Sequence, residues 1–507
     1  MKITNKFIYF LGAAMFLSLF SCDLDEDLQE DLDLSQALEI TEVDALIQGT
    51  YNAMHSPFID QSRWWAASQH TTDETIGPTR AGDWDDNGVW RVLHDHTWNA
   101  DHAFLGDTFN ELLQVVFSAT NVLSFQPTAA QAAEARFLRA FAVFAVADGW
   151  GQVPVREPGE NLLLPPQVLT GIEAVDFVIS ETEAIMNDLP DAPVTAANKD
   201  AARVLLMKAY LNKGAFTSRS SPTFEASDLA QVISLADQIA ANGYEVADNF
   251  YDNFAPSNGT ISTENIFTYE NIPGRSRGTG NNVRSRWFCT LHYNNNPSGW
   301  NGFATIADFY DKFDDADVRK SADYDGVTDR SGLKVGFLEG QQFDENGTAL
   351  TDRPGNPLVF TKDIKLIETE SNFEVTGVRV IKYPPDYDNG DNVDNDLVFY
   401  RYSDVLLMKA EAILRNGGST AEAVALVNQI REKRGVADLT TIDLDGILDE
   451  RGFELYWEGH RRQDLIRFGK YLDAYTQKPV SGTERLFFPI PSTALAVNPN
   501  LSQNPNY

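Results

Sequence analysis

Apolar residues recur every three or four positions in five segments of the chain, and this period predicts amphipathic helices that each bury one face. The residues of the five predicted faces are Val43, Leu46, Ile47, Thr50, Tyr51 and Met54; Ala202, Leu205, Leu206, Ala209 and Tyr210; Leu229, Val232, Ile233, Ala236, Ile239 and Ala240; Leu406, Ala410, Ile413 and Leu414; and Ala423, Leu426, Val427 and Ile430. The second and third segments follow each other along the chain, and so do the fourth and fifth. We therefore expect helices that pack in pairs.

The helical period largely fails between residues 244 and 396, where glycine, asparagine, aspartate and proline separate short apolar runs such as 375–383. Such punctuation is typical of loops and short strands. The helix pairs on either side carry alanine at close-contact positions and resemble tetratricopeptide-type units, although their spacing is uneven. The predicted fold class is therefore mostly α. We expect one domain over residues 37–507, with an interrupted helical scaffold (about 37–243 and 397–507) and a loop-rich lobe with a few short strands (about 244–396).

The first residues have the pattern of an export signal. Lys2 and Lys6 precede an apolar stretch over residues 7–20. Its 14 residues are too few to cross a bilayer core of about 30 Å as a helix. Residues 19–22 resemble a bacterial lipobox, so we predict a lipoprotein signal peptide over residues 1–21 and lipidation of Cys22. The alternative is an ordinary secretory signal followed by a chance cysteine.

The residues after Cys22 are strongly acidic, so residues 22–36 are predicted to form a solvated tether. The formal charge of the chain is −34, and it becomes about −36 when residues 1–21 and their two lysines are removed. Nucleic acid is not expected as a partner, because phosphate binding needs clustered lysine and arginine. If Cys22 is lipidated, Cys289 has no partner and no disulfide holds the fold together.

Several segments match motifs of one protein family, in the same order along the chain. They are residues 133–140 and 149–155 in the first half, and 401–412, 427–431, 450–455, 458–467, 488–491, 498–499 and 503–507 in the second. Together they resemble the SusD/RagB family of Bacteroidetes outer-membrane lipoproteins. The acidic residues after Cys22 are similar to the surface-export signal of such lipoproteins. One departure is Asn506, where glycine is usual in the family.

This resemblance implies a substrate-binding protein and no catalytic residue. Family members are helical, carry tetratricopeptide-like units and sit over a SusC-like TonB-dependent transporter, to which they pass oligosaccharides or, in some relatives, peptides. The implied location is the outer membrane, with a lipid anchor and the body facing outward. The charged residues of the last motifs recur at three- and four-residue spacing, so we expect them to pair along helix faces and support the scaffold. They are Arg451, Glu454, Glu458, Arg461, Arg462, Asp464 and Arg467.

Tryptophan indicates where the ligand binds. Of nine tryptophans, seven lie in two loop-like segments outside the scaffold motifs: Trp64, Trp65, Trp84, Trp90 and Trp98 in the first, and Trp287 and Trp300 in the second. An exposed indole can stack on the apolar face of a sugar ring while nearby polar side chains bind the sugar hydroxyl groups. The alternative for each ring is that it only pins a loop to the helices.

Trp84 and Trp300 are expected to be the most exposed of these rings, because glycines and short polar residues flank them. Of the neighbours Trp64 and Trp65, one is expected to point inward and the other outward. The polar candidates for ligand binding are Asp85, Tyr293, Asn295, Arg284 and Arg286.

The charge of the ligand is open at this stage. An acidic chain repels a polyuronate, which favours a neutral glycan. However, Arg275, Arg277, Arg284 and Arg286 precede Trp287, and guanidinium groups suit a sugar carboxylate. These arginines would serve equally to dock on a transporter rim or to pair with local acids. The sequence therefore favours a neutral glycan only slightly, and it does not identify the sugar, its linkage or the transporter.

Two other functions are alternatives: a peptide-capturing RagB-like lipoprotein, and an all-helical glycosidase or polysaccharide lyase with an aromatic cleft. The adjacent carboxylates Asp73 with Glu74 and Asp85 with Asp86 are poor acid–base pairs, because neighbouring side chains usually diverge. No cofactor or metal ion is required by the binding function. Calcium is a candidate ligand of the oxygen-rich segment 386–396, although the spacing there does not match an EF-hand.

Overall fold

Helices make up most of the chain before residue 244, as the apolar period predicts. A computed structural model describes residues 42–273, 283–369 and 371–507. The helices of this half are α1 (Val43–Ile59), α2 (Trp64–Gln69), α3 (Val89–His94), α4 (Ala103–Val122), α5 (Ala129–Trp150), α6 (Ile172–Ile185), α7 (Lys199–Thr217) and α8 (Ala226–Ala240). Between α5 and α6, the strands β1 (Gln152–Val155) and β2 (Gln167–Thr170) form an antiparallel pair.

The central helix α5 begins and ends where its sequence dictates. The Thr128 hydroxyl accepts the backbone N–H of Gln131, and the Gln131 side chain accepts the backbone N–H of Thr128, so two amides at the helix start are satisfied. The helix ends at Gly151, whose φ is +71°. A Cβ at this position would lie 2.6 Å from a ring atom of Phe487, so both the backbone conformation and the packing require glycine.

The middle of the chain contains only short elements. They are α9 (Asn258–Ile261), β3 (Asn265–Tyr269), α10 (Ser285–Phe288), α11 (Ala307–Tyr310), β4 (Ser321–Ala322), α12 (Thr328–Ser331), β5 (Val335–Leu338), β6 (Gly340–Gln341), β7 (Val359–Phe360), β8 (Arg379–Ile381) and β9 (Leu397–Arg401). The strands form three small antiparallel sheets, in the orders β3–β9, β4–β5–β8 and β6–β7. This region, hereafter the lobe, is inserted into the helical array.

The helical array resumes after the lobe. Its last helices are α13 (Tyr402–Arg415), α14 (Thr420–Lys433), α15 (Leu444–Leu455), α16 (Arg461–Arg467) and α17 (Ser492–Val497). Helix α13 packs against α8, and across this contact Lys409 Nζ lies 2.7 Å from Asp237 Oδ1, although the two residues are 172 positions apart. The prediction of a mostly α fold with interrupted helix pairs and a few short strands is confirmed.

Buried ion pairs join the lobe to the last helices. Glu454 of α15 accepts hydrogen bonds from Arg319, Arg401 and Arg434, and none of these four side chains is more than 1% exposed. Glu264 binds Arg401 and Arg434 as well. Burial raises the pKa of the Glu454 carboxyl, but the three guanidinium groups outweigh burial and hold this pKa well below its usual range. These charges are therefore retained away from water because each has a partner.

The charged residues of the last motifs do support the scaffold, but the prediction that they pair along helix faces was mostly wrong. Within that set only Asp464 and Arg467 pair at helical spacing, 2.7 Å apart. Burial is the reason, since α15 and α16 lie inside the molecule and their charged side chains meet other elements instead of water. The longer-range pairs are Arg451 with Asp404, Arg461 with Asp73, Arg462 with Asp148, Arg467 with Glu411, and Glu458 with Arg401 and Lys382.

Among the described residues, no helix is long and apolar enough to span a membrane. The predicted signal peptide, Cys22 and the acidic tether lie outside the described residues, and so do Arg275 and Arg277.

We expect Glu454→Gln to lower the free energy of unfolding by about 3–5 kcal/mol, because it removes one carboxylate from among three buried guanidinium groups. Urea unfolding followed by circular dichroism measures this loss. Asp449→Asn is the control, because Asp449 pairs with Lys312 at the surface, where the side chains are 45% and 40% exposed. The control should lose less than about 1 kcal/mol, and equal losses in the two variants would contradict the role of the buried pairs.

Candidate functional site

The two tryptophan-containing segments predicted from the sequence meet at the surface. The indole Nε1 of Trp84 donates to the backbone oxygen of Trp300 at 2.9 Å, and their ring centroids are 6.2 Å apart. These two residues are 216 positions apart in the chain. Beside them, the hydroxyl of Tyr293 faces Oδ2 of Asp83 at 3.4 Å. The helical half of the chain and the lobe therefore contribute to one surface.

A backbone bridge and one glycine position these segments. Ile76 and Ala304 exchange backbone hydrogen bonds of 2.8 and 3.0 Å. Two residues before Ala304, Gly302 packs directly on Trp84, where a Cβ would lie 2.4 Å from the indole ring. Glycine is required at position 302 because the backbone approaches an aromatic ring so closely.

Trp300 presents its ring to solvent. The residue is 41% exposed, and its ring packs edge-on against Phe288 with a centroid distance of 4.7 Å. The guanidinium group of Arg284 also packs on Phe288, 4.2 Å from the ring centroid. The same guanidinium group pairs with Asp391. The exposed indole is therefore held by a fixed neighbouring ring.

Trp84 is buried, and the prediction that it is exposed was wrong. The residue is only 8% exposed, because its indole packs against Phe303 at 4.8 Å and Trp90 at 6.1 Å between ring centroids. These neighbours cover the ring despite the glycines that flank it in the sequence. Trp84 supports Trp300 from the core and offers no open ring face.

Most of the other predicted rings also belong to the core. Trp65, Trp90, Trp98 and Trp287 are buried, whereas Trp64 is half-buried. We expected one of the neighbours Trp64 and Trp65 to point inward and the other outward. Trp65 does point inward, whereas Trp64 is only half-buried. Three of the buried indoles donate to fixed acceptors: Trp65 to the backbone oxygen of Trp457, Trp90 to Asp86 and Trp98 to the hydroxyl of Tyr507. These rings therefore pin loops to the helices and are not available to stack on a sugar.

Two of the predicted polar residues are buried as well. Asn295 is held within its own turn, where its Oδ1 accepts the backbone N–H of His292 at 2.8 Å. Arg286 is only 1% exposed. Neither side chain is exposed at the surface that carries Trp300, because Asn295 is held in its own turn and Arg286 is covered by Phe58 and Trp65. Tyr293 and Asp85 are half-buried and remain at that surface.

Arg353 is a surface residue that the sequence did not single out. Its guanidinium carbon lies 4.0 Å from the ring centroid of Tyr293, and its Nε pairs with Glu374. The amide of Asn294 donates to the backbone oxygen of Thr351 at 2.7 Å, which ties the turn that carries Arg353 to the Trp300 segment. That turn, Asp-Arg-Pro-Gly-Asn, has the same turn-forming composition as the two tryptophan segments, and this was the only available signal.

We refer to Asp83, Asp85, Tyr293, Trp300 and Arg353 as the Trp300 surface. Its cations are already paired, since Arg353 binds Glu374 and the adjacent Arg91 binds Asp85 at 2.8 Å. Asp83 and the neighbouring Asp86 are exposed carboxylates. The described part of this surface is therefore acidic, with one open aromatic ring and several hydrogen-bonding groups.

The oxygen-rich segment 386–396 is organised by its own hydrogen bonds. The Asp386 carboxylate accepts the backbone N–H groups of Asp388, Asn389 and Asp394 at 2.9–3.1 Å. Within the described ranges, no group of three histidine, cysteine, aspartate or glutamate side chains is placed to hold a metal ion. Calcium binding by this segment stays a prediction.

Of the adjacent carboxylates Asp73 and Glu74, Glu74 is buried and Asp73 is half-buried. Asp73 accepts two hydrogen bonds from Arg461, at 2.8 and 2.7 Å. Glu74 accepts from Gln69 at 2.8 Å and from the backbone N–H of Trp457 at 3.1 Å. Burial raises the pKa of Glu74 to about 7. Both carboxylates are thus engaged by structural partners, and neither is part of the Trp300 surface.

Comparison with known proteins relates the chain to one family. The sequence model of the SusD family matches residues 263–507. The starch-binding protein SusD of Bacteroides thetaiotaomicron is 27% identical over 424 residues, which cover 75% of this chain and 73% of that protein. A solved SusD superfamily protein from Parabacteroides distasonis has a TM-score of 0.73 at 18% identity, over 92% of this chain and 98% of that chain. Surface glycan-binding protein A from Bacteroides thetaiotaomicron, solved in complex with laminarihexaose, has a TM-score of 0.67 at 21% identity, over 92% and 99%.

The pKa of Glu74 predicts a pH-dependent contribution to stability. Because the pKa is about 7 in the folded protein and about 4.5 when unfolded, the folded state binds more protons between these values, and stability falls as pH rises through this window. We therefore expect the unfolding free energy of wild type, minus that of Glu74→Gln, to decrease by about 1–3 kcal/mol from pH 5 to pH 8. Urea unfolding of both proteins at the two pH values measures this change.

Asp396, whose pKa burial also raises to about 7, is unchanged in both proteins and cancels in this difference. A difference that does not vary with pH would mean that Glu74 titrates at its ordinary value.

Proposed function

We propose that the chain is a SusD-family cell-surface glycan-binding lipoprotein, which captures oligosaccharides and delivers them to a TonB-dependent outer-membrane transporter without catalysis. The match of the SusD family model to residues 263–507 and the similarity to the starch-binding protein SusD support this proposal. Anchoring through Cys22 and delivery to the transporter rest on the lipobox and on the family resemblance. Capture is assigned to the Trp300 surface.

The observation that carries this proposal is the exposed indole of Trp300. An indole face offers a flat apolar area that matches one face of a sugar ring. Tyr293, Asp83 and Arg353 lie around it and supply hydrogen-bond donors and acceptors for sugar hydroxyl groups. Phe288 and Trp84 hold the indole in place before a ligand arrives, so little side-chain entropy is lost on binding.

The relatives support a glycan as the ligand. One of them is named for starch binding, and a structure of the same fold contains laminarihexaose. A binding function also fits the carboxylates near the surface, because Asp85 is paired with Arg91 and Asp86 accepts the indole N–H of Trp90. Each of these acids already has a structural partner.

The charges of the surface favour a neutral glycan. Arg353, beside Tyr293, and Arg284, beside Phe288, are neutralised by Glu374 and Asp391. Arg286, which the sequence offered as a carboxylate ligand, is buried. The exposed Asp83 and Asp86 would repel a uronate.

We expect Trp300→Ala to raise the dissociation constant for a neutral oligosaccharide at least about tenfold, equivalent to about 1.4 kcal/mol, because the stacking face is lost. Isothermal titration calorimetry with a panel of neutral glucan, mannan and xylan oligosaccharides measures this change. Because we propose no catalysis, the oligosaccharides should be recovered uncleaved from the calorimeter. Phe117→Ala is the matched control, because Phe117 is 40% exposed but lies on the outer face of α4.

The control should bind like wild type. If wild type binds a glycan and Trp300→Ala binds it equally well, the ligand does not use this surface. If no oligosaccharide binds but an extended peptide does, the glycan function is replaced by peptide capture.

The acidic surface predicts a preference that depends on salt. Uronate-rich oligosaccharides of matched length should bind at least about tenfold more weakly than neutral ones at 20 mM salt, and the gap should narrow at 500 mM salt, where the repulsion is screened. Titrations of the two ligand classes at both salt concentrations measure this. Tighter binding of uronates at low salt would assign the surface to acidic glycans instead.

A further inference from the structure

A partly open cavity of about 100 Å³ lies apart from the Trp300 surface. Residues of helices α2, α5 and α7, strand β9 and the turn between α15 and α16 line it. Its wall is mainly aromatic, formed by Phe58, Phe141, Phe144, Phe399, Trp64 and Trp65, and no residue of the Trp300 surface lines it. The cavity is smaller than the engineered cavity of about 150 Å³ that binds benzene. It has room for a few non-hydrogen atoms.

One wall of this cavity carries a buried arginine, Arg286, that forms no ion pair with a carboxylate of the described residues. Arg286 donates to Ser285 Oγ at 3.0 Å and to the backbone oxygen of Phe58 at 3.2 Å, and its guanidinium lies over Trp65 at 4.6 Å. Its Nε finds no acceptor among the described protein atoms. Burial lowers the pKa of Arg286 to about 10, so it remains a cation at neutral pH.

Other buried arginines are better satisfied. Arg319, Arg401 and Arg434 pair with carboxylates, as described above. Arg379 also lacks a carboxylate partner within the described residues, but it donates to four oxygens, in Thr376, Gly377, Asn301 and Glu374. Arg286 has only two oxygen acceptors, both neutral.

The remaining charges around the cavity already balance each other. Lys208 pairs with Asp404, Glu458 with Arg401 and Lys382, and Asp148 with Arg219 and Arg462. His460 is neutral at physiological pH, because burial lowers its pKa to about 4. Asp60 acts on Arg286 through space, but its Oδ1 is occupied by Ser62 and it forms no ion pair with the arginine. Among the described residues that line the cavity, Arg286 is thus the cation that forms no direct ion pair.

A second unpaired donor lines the same cavity. Trp457 is 1% exposed, and its indole Nε1 has no acceptor among the described residues. The backbone of Trp457 is fixed by two hydrogen bonds, because its N–H donates to Glu74 and its oxygen accepts from Trp65. The residue is held at φ +60°, a conformation that a bulky side chain adopts only when its surroundings enforce it.

We propose that this cavity is a binding site for a small monovalent anion, held by the guanidinium of Arg286 and the indole N–H of Trp457. Among the described residues, the Nε–H of the buried Arg286 guanidinium and the buried indole N–H of Trp457 both lack acceptors, which is unfavourable unless a bound anion accepts from them. The volume admits a halide or a planar carboxylate of the size of formate or acetate. The bound anion stabilises the junction between α2, α5, β9 and the turn after α15. This site is independent of the proposed function, and glycan capture neither requires nor excludes it.

Crystals of the purified protein grown or soaked in sodium bromide test this directly. The expected result is an anomalous bromide peak in the cavity, within hydrogen-bonding distance of both Arg286 and Trp457. Water density without an anomalous peak would overturn the proposal.

Thermal unfolding gives an independent measurement in solution. At constant ionic strength, with chloride, bromide, formate or acetate replacing a bulky organic anion, the melting temperature should rise by a few degrees and saturate. Trp457→Phe, which removes only the N–H, should raise the midpoint anion concentration at least about fivefold, and Arg286→Met should abolish the response. Trp457→Phe keeps the test valid if Arg286→Met does not fold.

Trp150→Phe is the matched control, because Trp150 also has a buried indole N–H without an acceptor but does not line this cavity. It should retain the wild-type anion response. A melting temperature that keeps rising with anion concentration without saturating would show a general salt effect and overturn the proposal. An equal dependence on anion concentration in wild type, Trp457→Phe and Trp150→Phe would do the same.

Discussion

Glu454 and Glu264 lie where the lobe meets the helical scaffold, and their three arginine partners come from separate parts of the chain. Arg319 lies in the lobe, Arg401 ends β9, and Arg434 follows α14. A buried carboxylate without its cation is strongly unfavourable, so these parts cannot separate without leaving charges unpaired in a dry interior. The pairs thus fix the lobe, which carries Trp300, against the scaffold, which carries Trp84.

The Trp300 surface depends on this fixed arrangement. Its exposed ring rests on buried rings, because Trp84 binds the backbone of Trp300 and Phe288 packs against its indole. Aromatic residues in this region therefore have two separate roles, and the buried ones determine the orientation of the exposed one. In the proposed function, this rigid ring is a stacking face that selects ligands by shape.

The sequence predicts the fold better than the site, for a physical reason. Helical period and turn composition are local, so they correctly indicated the helix pairs and the inserted lobe. The exposure of a ring is decided by distant residues: Trp84 is covered by Phe303 and Gly302, more than 200 positions away. Arg353 reaches Tyr293 only through the folded lobe, and the arginines of the last motifs find their partners across the core. The sequence identified the two segments that meet, but not which side chains face outward.

The contact between α8 and α13 has a consequence for how the molecule folds. Helices of the first half can pair with their sequence neighbours early, because those contacts close short loops. The contact between Lys409 and Asp237 closes a loop of 172 positions, so the array is completed only after the lobe has become compact. Until then α8 can pack against its neighbour α7, but the face that meets α13 remains uncovered. Late closure leaves this face available for aggregation during folding, and the last helices of the chain remove that risk.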